Sequence, residues 1–380
     1  MKVLVLYDYP PSPGGLATQG DMLYKGLCEM GVDAHAAHFN SDQEKEWYYK
    51  WFKPDVVIGV GYWGHTPEIV LHPRSFGMNA VPWLVADGYI ANYQEVLNKL
   101  PLILVTSTWV KEMYVRDGIH ADNIEVLPVG CDTKSFIPRD HKDPKIIAVR
   151  EALGVNPEEL MILTIGGDAA SKGGQEVMHA LSQINDEVPD WRYVCKVWPQ
   201  ERTTTQNSAD LNLAAQLGID KKVNFQTNRI SRNFVPYLIG ACDIYAAPSR
   251  LEGFGMPQVE ACSCEKPVLS IKAMGPLDTM IHGKTALLAG VAKEIILCET
   301  ILGAESGFTE GKRIVFDKPR IVDYRASIPD IAEYLKMLMN DKSLREKLGK
   351  AARLRVVENY DYHVVAEKFV NIVRRKLQIN

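Results

Sequence analysis

Two carboxylates eight positions apart and one lysine carry most of the chemistry this sequence offers. Glu252 stands in the run Leu251-Glu252-Gly253-Phe254-Gly255, directly after an apolar, strand-like stretch at 244–247. Glu260 falls in the first turns of the helix that Pro257 opens, where the missing N–H of proline would be unpaired anyway. Lys172 lies in Gly166-Gly167-Asp168-Ala169-Ala170-Ser171-Lys172-Gly173-Gly174, again between a strand (160–165) and a helix (174–184). A lysine beside glycines at a helix start supplies a fixed cation and backbone N–H donors together, which is what a diphosphate needs. Ligands of open α/β sheets bind at the carboxyl ends of the strands, where both loops fall. Each string alone is also an ordinary strand-loop-helix corner; their combination argues for a site.

The elements that must position these residues read as two α/β halves. In the first, the apolar run at 2–7 is a buried parallel strand. A loop with Gly14 and Gly15, a helix at 16–30 ended by Gly31, and a strand at 32–39 follow. Adjacent glycines let a ligand approach the backbone, although the loop lacks G-x-G-x-x-G, against a dinucleotide dehydrogenase. A strand from Asp55 runs into Gly61-Tyr62-Trp63-Gly64-His65, so Trp63 and His65 are candidate ligand contacts at the strand's carboxyl end. The strand at 81–86 ends at Asp87, a second polar candidate in the same position. The second half adds strands near 193–198, 223–225 and 267–271 and helices at 207–217, 331–339, 344–357 and 362–377. Aromatic residues crowd 41–53, where a core face is the expected reading. The stretch 292–325 has no assigned role.

The string Glu252-Gly253-Phe254-Gly255-Met256-Pro257-Gln258-Val259-Glu260 resembles the donor-site signature of retaining glycosyltransferases of family 4. The glycine pair after Pro10-Pro11, the segment around Pro128 to Asp132, Cys264 to Val268 and Gly275 to Asp278 are similar to further family motifs. The resemblance implies a GT-B fold, α/β, with two Rossmann-like domains facing each other across a cleft. It implies an N-terminal acceptor-side domain at 1–145, a nucleotide-sugar domain at 146–355, and a closing helix at 356–380 that returns to the first domain. The activity implied is retaining sugar transfer from a nucleotide-diphosphate sugar, UDP favoured and GDP possible, to a glycan, lipid-linked or small-molecule acceptor. Glu252 then meets sugar hydroxyls near the amides of Gly253, Phe254 and Gly255, Glu260 the ribose diol, Lys172 the diphosphate, and Ile230 the base. Two departures stand out. Gly167 occupies the place of a customary arginine, leaving Lys196, Arg229 or Arg250 as replacement cations, and no histidine closes the strand before Asp87. The resemblance then implies that Asp87 binds a sugar hydroxyl or orients or deprotonates the acceptor, with Trp63 and His65 as acceptor contacts.

At 380 residues the chain suits two domains, and its net charge of -4 gives no basic balance for nucleic acid. Residues 1–145 hold 13 basic and 18 acidic side chains, which would repel anionic lipid. Seven cysteines without metal-ligand spacing fit reduced thiols and a cytoplasmic location. No D-x-D pair is present, so neither a metal nor any cofactor is expected. The alternative on the same fold is a non-catalytic nucleotide-sugar-binding or scaffold protein; an epimerase or phosphorylase is weaker.

Overall fold

Uninterrupted apolar runs become the central strands of two parallel sheets. The computed structural model describes residues 1–85, 88–198, 200–308 and 311–379. The chain divides into two units, the first comprising Met1–Gly130, Ile296–Val322 and Asn359–Asn380, the second Cys131–Ile295 and Asp323–Glu358. Residues 131–145, expected with the first domain, thus pack with the second unit, and 296–322 pack with the first.

Unit 1 holds β1 (Lys2–Tyr7), β2 (Asp33–His38), β3 (Val56–Gly61), β4 (Ala80–Leu84), β5 (Ile103–Val105) and β6 (Ile124–Val126). All pairings are parallel, in the order β2-β1-β3-β4-β5-β6. β1 is central, with Val3 opposite both Ala34 and Val56, so its apolar side chains are buried on both faces. The helix Gly15–Glu29 packs against the closing helix Tyr362–Leu377. Gly26 permits the close approach, since a Cβ there would lie 2.8 Å from Ala366 Cβ and from the Tyr362 carbonyl oxygen. The aromatic helix Asp42–Trp51 is divided in use: Tyr49 and the following Phe52 are buried, whereas Trp47 and Trp51 are exposed.

Unit 2 holds β7 (Leu160–Ile165), β8 (Trp191–Lys196), β9 (Val223–Gln226), β10 (Ile244–Ala246), β11 (Val268–Ile271) and β12 (Leu287–Ala289). These are also parallel, in the order β12-β11-β10-β7-β8-β9. The helices Gly174–Ile184 and Met256–Ser263 follow β7 and β10. Both units therefore have doubly wound, Rossmann-like sheets whose strand order reverses once.

The unassigned stretch forms β13 (Val291–Leu302) and β14 (Lys312–Ala326), which pair with each other alone. The part of this arm within unit 1 lies against the segment after β4. Leu302, Phe308 and Ile314 join the core around Trp63 and Tyr114, and Phe316 meets Tyr89 edge-on at 5.3 Å. Arg320 Nε lies 2.7 Å from Asp117 Oδ1. Among the described residues no helix is long and apolar enough to cross a membrane.

Candidate functional site

In the second sheet the strand order reverses between β7 and β10, the position at which ligands of doubly wound sheets bind, at the carboxyl ends of the strands. The loops that follow those two strands are locked together. Arg250 N donates to the Ser171 carbonyl at 2.9 Å. Gly173 has φ +77°, and a Cβ there would lie 2.3 Å from the Pro248 carbonyl oxygen, so only glycine fits. A third segment closes on them, with Gly275 N donating to the Glu252 carbonyl at 3.1 Å.

Within this frame Lys172 Nζ donates to Glu252 Oε2 at 2.8 Å, bridging 80 positions of sequence. The other carboxylate oxygen, Oε1, accepts from Gly255 N at 2.9 Å. Gly166 makes room for the lysine stem, because a Cβ there would fall 2.4 Å from Lys172 Cγ. The side chains of Lys172 and Glu252 keep 22% and 14% of their surface exposed, enough for a ligand to reach both. The amides of Lys172, Gly173 and Gly174 do not serve as expected: they close turns onto the carbonyls of Ala169 and Ala170. Of the donors expected in this loop, the lysine ammonium is the one paired with a carboxylate rather than a backbone carbonyl.

The proposed replacement cations are mostly engaged elsewhere. Arg250 pairs with buried Glu176 at 3.0 Å and donates to Gln175 Oε1 at 2.8 Å. Gln175 in turn donates to Asp210 Oδ1 at 2.7 Å, and burial pushes the Asp210 carboxyl up to about 6. Lys196 is buried, its Nζ donating to the Val197 carbonyl at 2.7 Å, and burial lowers its pKa. Lys196 and Arg250 are thus each held by partners of their own chain in this structure. Arg229 is exposed, and Ile230 half-buried, in the loop after β9.

Glu260 is buried on the helix Met256–Ser263 and is paired with Arg232, a residue the sequence reading missed. Burial opposes charge on Arg232, but the Glu260 carboxylate outweighs that and raises its pKa. Its guanidinium lies over the Phe136 ring, 4.8 Å from the centroid. The available signal was an arginine two positions beyond Ile230 in a polar loop, which nothing in one sequence connects to Glu260. Phe254 is buried and packs rather than presenting its ring.

The unit 1 candidates do not form one cluster. Gly14 and Gly15 are exposed at the start of the helix Gly15–Glu29, and a Cβ on either would meet nothing within 4 Å. Among the described residues no neighbour therefore demands glycine at either position. His65 is half-buried between Tyr62 and Phe39, at ring distances of 4.3 and 4.9 Å, and burial lowers its pKa. Trp63, the other expected acceptor contact, is 2% exposed within an apolar core cluster. Asp87 lies outside the described residues.

Residues 146–301 match the family described as "Glycosyl transferases group 1". The D-inositol 3-phosphate glycosyltransferase of Rhodococcus jostii (strain RHA1) is 26% identical over 198 residues, 51% of this chain and 42% of that protein. The MMP alpha-(1->4)-mannosyltransferase of Mycolicibacterium hassiacum is 22% identical over 293 residues, 76% of this chain and 58% of that protein. The chain spans about half the length of these curated relatives. Among solved structures, Anabaena HepE in complex with UDP and glucose has a TM-score of 0.73 at 17% identity, covering 99% of this chain and 100% of that one. A glycosyltransferase from Rickettsia africae has a TM-score of 0.76 at 17% identity, covering 100% and 99%. The fold is thus that of the GT-B glycosyltransferases, two Rossmann-like α/β domains with parallel sheets.

Proposed function

We propose that the protein is a retaining glycosyltransferase that uses a nucleotide-diphosphate sugar, with UDP favoured and GDP the second choice. The observation that carries this reading is the Lys172–Glu252 pair at the reversal point of the second sheet. It puts one cation and one carboxylate, both partly accessible, where a doubly wound sheet binds its ligand. The match of residues 146–301 and the UDP bound to HepE support the class and the base.

In this reading unit 2 binds the donor and unit 1 is the acceptor side. Breaking the bond from the anomeric carbon to phosphate builds negative charge on the diphosphate, and a preorganised ammonium stabilises that charge more than it stabilises the ground state. Lys172 has this role and exchanges Glu252 for phosphate oxygens. Glu252, released from the lysine and steadied by the Gly255 amide, accepts hydrogen bonds from sugar hydroxyls. The acceptor hydroxyl attacks from the face the diphosphate leaves, and its proton passes to the leaving phosphate oxygen. Glu260, steadied by Arg232, anchors the ribose. No step needs a divalent metal, and the location is cytoplasmic.

The test is to incubate the protein with UDP-, GDP- and ADP-sugars and a panel of glycan, lipid-linked and small-molecule acceptors, and to follow nucleoside diphosphate release with and without chelator. Acceptor-dependent release with net retention of the anomeric configuration, unaffected by chelator, is expected. Gly167 in place of the customary arginine favours the second reading, a nucleotide-sugar-binding protein without turnover. Binding of nucleotides in a thermal-shift experiment with no release across the panel would select it.

A further inference from the structure

Gly167 is filled from outside its own residue. The ladder between β7 and β8 continues into the glycine loop, with Gly166 N donating to the Lys196 carbonyl at 3.0 Å and Trp198 N to the Gly167 carbonyl at 2.9 Å. A Cβ on Gly167 would lie 3.4 Å from each of Cδ2, Cε2 and Cε3 of Trp198. A point equidistant from three adjacent ring atoms lies on the axis of the six-membered ring, so the indole presents its face, not its edge, to Gly167. Trp198 nevertheless keeps 45% of its surface exposed at the carboxyl end of the sheet. Where an arginine was expected, the chain has a glycine covered by an indole.

We propose that Trp198 is a donor-binding residue whose indole stacks on the nucleobase. This rests on the glycosyltransferase reading. Lys172 lies in the loop after β7, and Ile230, the candidate base contact, lies in the loop after β9. β8 runs between those strands, and Trp198 follows its end, one strand spacing of about 4.8 Å from β7. A ligand that extends from the lysine toward the loop of Ile230 passes the end of β8, which Trp198 follows. The part of the donor beyond the diphosphate on that side is its neutral, planar base, and a planar ring is the group an aromatic face takes up with little demand on sequence or hydrogen bonding. Gly167 contributes by leaving the indole the space that an arginine side chain would take. The donor then has one cation and one aromatic platform instead of two cations.

The test measures UDP, GDP and UDP-glucose binding by calorimetry for the wild type and for Trp198→Ala, Trp198→Leu and Trp198→Phe, with thermal melts to confirm folding. Trp198→Ala and Trp198→Leu are expected to weaken all three ligands by about tenfold or more, and Trp198→Phe by no more than about threefold, because only the phenyl ring keeps a stacking face. Recovery of binding by Trp198→Leu would mean that the indole only packs on Gly167 and would overturn the proposal. Weakening of UDP-glucose with UDP unchanged would move the contact to the sugar and overturn it too. Equal binding by Trp198→Ala does the same while leaving the glycosyltransferase reading intact, whereas a wild type that binds no nucleotide removes that reading itself.

Discussion

Lys172→Ala tests the centre of the mechanism. In the resting protein the ammonium is 2.8 Å from Glu252 Oε2, with most of both side chains out of solvent. At an effective dielectric constant near 20 the gross attraction is about 6 kcal/mol, most of it offset by desolvation. Removing the lysine leaves Glu252 with the Gly255 amide as its remaining hydrogen-bond donor. Breaking a fully buried pair costs roughly 3–5 kcal/mol; the residual exposure here lowers the folding cost to about 1–3 kcal/mol. The effect on turnover is larger. Loss of one preorganised contact to charge that develops in the transition state lowers kcat by about 10²–10³-fold, the equivalent of ~2.7–4 kcal/mol. Ground-state binding of the intact nucleotide sugar should weaken by less than about tenfold, because only part of that charge is present before the bond breaks. The assay pairs nucleoside diphosphate release with calorimetric binding, and Lys172→Arg should recover part of the rate by restoring the charge. An unchanged kcat would remove Lys172 from the chemistry. Loss of nucleotide-sugar affinity as large as the loss of kcat would reduce it to a uniform binding contact.

Gly173→Ala places a Cβ 2.3 Å from a backbone oxygen at φ +77°; the left-handed strain and the clash together should cost about 2–4 kcal/mol, read as a lower urea midpoint with weaker nucleotide binding. An unchanged midpoint would show that the two loops are not locked. Arg320→Met deprives Asp117, whose side chain is 1% exposed, of one of its two arginines. A destabilisation of roughly 2–4 kcal/mol and faster proteolysis within 296–322 are expected, and wild-type protease resistance would count against the pairing. Asp210, raised by burial to about 6, stabilises the fold below pH ~4, and that contribution is lost as pH rises through ~6. The stability advantage of the wild type over Asp210→Asn should therefore shrink by about 2–3 kcal/mol between pH 4 and 7; a difference independent of pH would refute the burial argument.

Much of the frame is legible in short windows of the chain. The helix expected at 174–184 is Gly174–Ile184, and that expected at 362–377 is Tyr362–Leu377, because glycine, an aspartate cap and apolar periodicity act locally. The strand read at 193–198 is displaced to Trp191–Lys196, since both ends of that apolar run are compatible with a strand and pairing with Leu160 chooses between them. The helix read at 207–217 extends back to Gln200, where polar residues carry no periodic signal. The burial of Trp63 was not legible, because a tryptophan in a glycine-flanked loop reads the same whether covered or open; it lies in one core cluster with Ile69, Leu84 and Tyr114.

By itself the sequence determined the two α/β halves, the glycine loops, and the presence of Lys172 and Glu252 after their strands, all local properties. Only the tertiary structure decided which charges pair with one another. It joined Lys172 to Glu252 across 80 positions, withdrew Arg250 and Lys196 to internal partners, supplied Arg232 to Glu260, and laid Trp198 over Gly167. The reason is physical: propensity and patterning are local, whereas the partner of a half-buried charge is whichever group the packing of distant loops brings within hydrogen-bond reach. The glycine string and its lysine could be read from the chain, but the site they form exists only once β7 and β10 lie side by side.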